Sequence, residues 1–196
     1  SSDLDAEVRQ SMPSKLFSSP IGKKMGMALT GLILYGFLIG HLLGNLLLLK
    51  GDGGQAFNAY AEFLINHPLL IPAELFLVVV FLLHVYLAIS VTRENRRARP
   101  VGYQATQSVG GRNFASYTMI YSGIIVLVFL VLHLKTFKYG DKAEGTLYDL
   151  VSATFQQTGY LVWYVIAMLV LGVHLWHAFQ SAFQTLSVRS AKIRSL

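Results

Sequence analysis

Four stretches of this chain run for most of a long helix without one Asp, Glu, Lys or Arg, and each carries a histidine. Residues 25–49 hold His41, 75–92 hold His84, 113–134 hold His133, and 150–188 hold His174. Crossing the hydrocarbon core of a bilayer takes about 20 predominantly apolar residues in a helix. The last stretch, at 39 residues, has length for two short spans. Its first part, residues 151–158, is polar enough to lie at an interface, and Gly159 then opens one long helix. The pattern predicts four spans, near 25–49, 73–92, 114–137 and 159–185.

Only 13% of the residues are charged, about half the fraction of a soluble domain. The first span is too long, and too poor in a cleavage signal, for a secretory signal peptide. The chain does not start with Met, as expected of a processed product or a piece of a longer one. With no cysteine, it builds no disulfide, iron–sulfur cluster or thioether haem attachment alone. The net charge of +6 does not point to nucleic acid, because its placement follows membrane topology. The segment before span one, the loop 93–112 and the tail share one side and hold 12 of the 16 basic residues. The positive-inside rule puts both termini and the Arg-rich loop in the cytoplasm.

The expected fold is all-α: a transmembrane helical bundle with four spans and short interfacial helices on the outer side. It forms one domain over 1–196, with a cytoplasmic lead (1–22), the bundle (23–188) and a polar tail (189–196). The run Gly51-Asp52-Gly53-Gly54 stops span one. Ala56, Phe57, Tyr60, Phe63 and Leu64 then repeat at helical spacing, as in a short helix on the outer surface. Thr146 and Asp149 resemble a capping box that starts a second interfacial segment. No internal repeat stands out.

A histidine deep in a span is costly unless something binds it. Rise per residue, about 1.5 Å, converts position into depth. His41 and His133 fall in the outer half, and His84 and His174 at or below the midplane. Equal depth pairs His41 with His133 and His84 with His174, each pair drawn from two helices. Two imidazoles fill both axial positions of a haem iron, which suits electron transfer. The pattern therefore predicts two haems between facing helices. Gly40 and Gly44 flank His41 and would let a porphyrin approach the backbone; helix–helix contact is the competing role for such glycines. His177, one turn from His174, competes as ligand or bonds a propionate. His67, before a proline in a surface loop, is not expected to ligate.

Several runs go beyond spacing: Ser19-Pro-Ile-Gly-Lys-Lys-Met-Gly-Met-Ala-Leu-Thr-Gly31, Gly40-His-Leu-Leu-Gly-Asn45, Phe57-Asn-Ala-Tyr-Ala-Glu-Phe63, Leu83-His-Val-Tyr86 and His174-Leu-Trp-His-Ala-Phe-Gln-Ser-Ala-Phe-Gln-Thr-Leu186. In this order they resemble the dihaem cytochrome b membrane-anchor subunit of the succinate dehydrogenase and fumarate reductase family, over residues 15–188. The resemblance implies axial ligands at His41, His84, His133 and His174, preferring His174 to His177. It also implies two haem b groups, a flavoprotein and an iron–sulfur subunit as partners, and a quinone, usually menaquinone, reduced near the outer face. A bacterial cytoplasmic membrane with the N-terminus inside is then expected. Family members usually have five membrane helices. This chain ends soon after the fourth span, so either it is truncated or a partner covers the exposed side.

Quinone reduction takes two protons, so the site needs groups near the outer haem. Glu74 opens span two, Glu62 lies on the surface helix, and Asn45 is one turn from His41. Ordinary interfacial carboxylates are the competing reading for both glutamates, with Glu74 favoured by its helix N-terminus. Arg93, Arg112 and Tyr117 suit the inner propionates, and Lys135 the outer ones. The Arg-rich loop serves equally as a topology signal or as a docking face for the iron–sulfur subunit. Rival readings are the cytochrome b of a hydrogenase or formate dehydrogenase, a histidine-based transporter or proton channel, and a structural anchor without cofactor.

Overall fold

The structure is a computed structural model that describes residues 19–97, 114–140 and 145–186, with the side chains of 114–117 excepted. The lead before Ser19, most of the Arg-rich loop and the tail after residue 186 lie outside the described residues. Among the described residues six α-helices follow one another and there is no strand: α1 (Pro20–Asn45), α2 (Gln55–Ile65), α3 (Leu70–Arg97), α4 (Phe114–His133), α5 (Leu147–Gln156) and α6 (Thr158–Thr185). Four helical segments are long and apolar enough to cross a membrane: Pro20–Lys50, Leu70–Arg97, Thr118–Lys138 and Thr158–Thr185. In hydrocarbon each backbone polar group must be satisfied within the protein, and a helix does so along its own length.

Local chemistry sets the helix ends. Ser19 Oγ accepts the Gly22 N–H at 3.0 Å, and Pro20 takes the first helical position of α1, where its missing N–H costs nothing. After Asn45 the helix tightens into a 3₁₀ turn, Leu46–Lys50, closed by Gly51 at φ 72°. Asp52 then accepts the N–H groups of Gly54 and Ala56, both at 3.1 Å, and so caps α2. Gly54, at φ 86°, takes a left-handed conformation that a side chain would strain. The capping box at α5 is complete, with Thr146 and Asp149 exchanging side-chain and backbone bonds.

The helices outrun the apolar stretches that mark the spans. α1 begins before Lys23 and Lys24, and α3 continues to Arg97. A helix is not confined to hydrocarbon; its polar turns extend into water, and Lys23 pairs there with Glu94 of α3. Span three keeps its expected extent but changes pitch, because α4 ends at His133 and a π turn over Leu134–Lys138 continues it. Large apolar residues such as Leu49, Ile71 and Leu169 are two-thirds or more exposed, as lipid-facing positions would be. The small residues Ala28, Ala167 and Ala182 are among the most buried, which lets helices approach closely.

The described residues fall into two compact units. One holds 19–34, 77–97 and 178–186; the other holds 35–76, 114–140 and 145–177. In the second, the short helices α2 and α5 are joined, the Tyr148 N–H donating to Asn58 Oδ1 at 3.1 Å.

Hydrogen bonds from Thr146 hold the exposed Asp149 carboxyl below its ordinary 3.8. The cap is therefore complete above that pH and is lost as pH falls through the lowered value. Thr146→Ala should speed amide exchange over residues 147–150 at neutral pH and abolish this acid dependence, read by hydrogen–deuterium exchange in detergent.

Candidate functional site

The second unit brings two of the four span histidines together. The rings of His41 (α1) and His133 (α4) have centroids 5.7 Å apart, with planes at 86°. Phe37, one turn before His41, stacks on it at 5.5 Å. On α4, Phe129 and Phe137 lie one turn before and after His133, at 5.6 and 5.5 Å. Such i, i+4 spacing places side chains on one helix face. Tyr164 of α6 closes the group: its ring meets Phe129 at 5.0 Å and Phe155 at 4.9 Å, and its hydroxyl lies 3.2 Å from His133 Nδ1.

Each of the other two histidines is held by an aliphatic hydroxyl on a neighbouring helix. In the first unit His84 Nδ1 lies 3.1 Å from Thr30 Oγ1. In the second, His174 Nδ1 lies 3.0 Å from Ser122 Oγ. Thr30, Ser122 and Thr154 are the buried polar residues among the described ones, so two of the three hold a histidine. A glycine follows each of those two. An added Cβ on Gly31 would stand 3.2 Å from His84 Cε1, and one on Gly123 3.5 Å from His174 Cε1.

Imidazoles are metal ligands when neutral, through the nitrogen that lacks a proton. No group of three or more His, Cys, Asp or Glu that could hold an ion occurs among the described residues. His41 and His133 are the two imidazoles whose rings the structure brings into contact.

The remaining expected site residues are spread more widely. A Cβ on Gly40 would meet nothing within 4 Å, whereas the Tyr60 ring fills that place at Gly44. The space at Gly40 is open; Gly44 serves helix packing. Asn45 Nδ2 donates to the His41 carbonyl at 2.8 Å and so caps its own helix. Glu62 is exposed, and so are Lys135 and Arg93. Glu74 pairs with Lys138, the last residue of the π turn that follows His133. His177 Nδ1 is buried and lacks a hydrogen-bond partner, as do Trp163 Nε1 and Gln180 Nε2. His67 Nδ1 accepts the Leu69 N–H and organises a turn. Arg112 and the Tyr117 side chain lie outside the described residues. Thr30, Ser122, Tyr164 and Lys138 join the site without having been singled out by the sequence. Helical spacing could have found Thr30 and Ser122, because each lies 11 residues before an expected ligand, three turns down the same face.

Compared with family models, curated proteins and solved structures, the chain gives no match. Tyr164→Phe keeps the ring packing and removes one hydrogen bond from His133. It should lower unfolding free energy by about 1 kcal/mol, measured by thermal unfolding in detergent.

Proposed function

We propose that the chain is the membrane-anchor cytochrome b of a succinate:quinone oxidoreductase, passing electrons from an iron–sulfur subunit through two haems b to a quinone, menaquinone by preference. The observation that carries this reading is the His41–His133 pair, two imidazoles from different spans whose ring centroids lie 5.7 Å apart. The open space at Gly40 suits the edge of a flat macrocycle. The orphaned Nδ1 of His177 suits a propionate or another polar group brought by a cofactor. Depth read from the sequence assigns His84 and His174 to the second iron. In this reading the N-terminus is cytoplasmic, the membrane is the bacterial inner membrane, and a flavoprotein subunit completes the complex.

A bound haem would supply one-electron exchange. His41 and His133 would hold its iron as neutral imidazoles. Phe37 packs on the His41 ring, and Phe129 and Phe137 pack on that of His133, which restricts both rings. Glu74 and Lys138 supply ionisable groups at the same end of the spans. The Glu74 carboxylate would take a proton from the outer aqueous phase and pass it to the reduced quinone, and the Lys138 ammonium would hold the carboxylate in place between transfers. A cytochrome b of a hydrogenase or formate dehydrogenase would use the same pairs, and the subunits that co-purify separate the two.

The purified chain should show reduced b-type absorption bands with two haems per chain. His41→Ala or His133→Ala should each remove one haem and leave the other. A colourless preparation would exclude the cytochrome reading in favour of a transporter or a plain anchor. In the assembled complex, Glu74→Gln should lower quinone reduction roughly 100-fold with haem content unchanged. Its partly exposed pair with Lys138 should contribute less than about 1 kcal/mol to stability.

A further inference from the structure

The two hydroxyl–histidine contacts are copies of one device. Thr30-Gly31 lies 54 residues before His84, and Ser122-Gly123 lies 52 before His174. Thr30 precedes His41 by 11 residues, and Ser122 precedes His133 by the same number. Eleven residues make three helical turns, so each hydroxyl shares a face with its own helix's histidine about 16 Å away. α1 and α4 thus carry one histidine at one level and a hydroxyl for another helix's histidine at a second level.

The hydroxyl proton has a fixed destination. Thr30 Oγ1 lies 2.8 Å from the Gly26 carbonyl oxygen and 3.1 Å from that of Met27. Ser122 Oγ lies 3.0 Å from the Met119 carbonyl oxygen. A carbonyl oxygen only accepts, so a contact of this length between two oxygens needs the hydroxyl proton between them. A hydroxyl has one proton to donate and two lone pairs. Towards the imidazole it therefore accepts, and the facing Nδ1 carries the N–H. The unprotonated nitrogen of each ring is then Nε2. The glycine after each hydroxyl admits the Nδ1–Cε1 edge of the ring against the helix.

We propose that Thr30 and Ser122 are positioning residues that lock His84 and His174 as Nδ1–H imidazoles, and so make Nε2 the ligand nitrogen at both positions. The tautomer lock stands on the hydroxyl geometry; its use for iron ligation rests on the cytochrome reading. An acceptor on the outer N–H raises the basicity of a ligating imidazole and fixes its ring orientation. A more basic ligand favours ferric iron, so loss of the acceptor raises the reduction potential. The outer ring His133 faces a phenol, Tyr164, which can donate as well as accept. The lock is therefore specific to the two aliphatic hydroxyls.

The test uses the full chain in detergent with ¹⁵N-labelled histidine, reduced so that a bis-imidazole iron is diamagnetic. Thr30→Val and Ser122→Ala remove each hydroxyl; Thr30→Ser and Ser122→Thr retain it. The parent should show slowly exchanging Nδ1–H protons on His84 and His174. Thr30→Val should speed exchange at His84 alone by tenfold or more, and Ser122→Ala at His174 alone, with the hydroxyl-retaining variants close to the parent. In redox titration each removal should raise one midpoint potential by up to a tenfold change in ferric preference, which is about 59 mV for one electron. A colourless chain with both rings in the Nδ1–H form would support the lock and sink the cytochrome reading. An Nε2–H form on either ring would overturn the lock. So would removal variants that match the parent in both exchange and potential.

Discussion

An imidazole N–H surrounded by hydrocarbon must find an acceptor, because an unpaired polar group there costs several kcal/mol. The rest of the site is arranged around that demand. The hydroxyls that face His84 and His174 come from other helices and are already engaged with their own backbone, and the Met27 backbone also bonds His84. Side-chain hydrogen bonds between membrane helices contribute on average only about 0.6 kcal/mol. Their main consequence here is geometric. Each bond fixes a ring's tautomer and ties the level of one helix to that of its neighbour.

That tie explains the glycines that matter. Gly31 and Gly123 lie beneath the held rings, and of the two Gly31 is the tighter, since a Cβ there would have to displace His84 by a few tenths of an ångström. At Gly123 the same Cβ would make ordinary contact. Ser122 also lines an open apolar groove with Tyr121, Leu169 and Val173.

Much of this was legible in the sequence. Charge-free stretches mark the four long helices because hydrocarbon tolerates few ions, and the Gly51–Gly54 run and Thr146 mark two helix boundaries through turn and cap chemistry. The histidines stand out because a span seldom carries one. The hydroxyl partners do not, since Ser and Thr are common in membrane helices and most bond only to their own backbone, as Thr154 does to the Leu150 carbonyl. The recurrence is short and scattered: residues 30–41 and 122–133 share the hydroxyl–glycine step, Ile33 with Ile125, Phe37-Leu38 with Phe129-Leu130, and the histidine, among apolar residues that otherwise differ. The roles of Gly40 and Gly44 could not be separated by spacing either. Only the position of Tyr60 on α2, a long-range packing result, distinguishes a filled notch from an open one.

The end of the spans that carries His41 and His133 obeys a different constraint. Its ionisable groups, Glu74 and Lys138, are about one-third exposed, where an ion pair adds little stability. The backbone nonetheless departs from α geometry to reach this arrangement, with a π turn over Leu134–Lys138 directly after His133. An α-helix continued through this segment would rotate Lys138 away from its present direction, because the π turn adds residues without adding the same rotation. π turns are uncommon and concentrate at functional sites. A pair of low energetic value reached through an unusual backbone is the combination on which the proposed proton-handling role of Glu74 and Lys138 rests. The histidines differ in the same way in what they face: His84 and His174 meet aliphatic hydroxyls, whereas His133 meets the phenol of Tyr164.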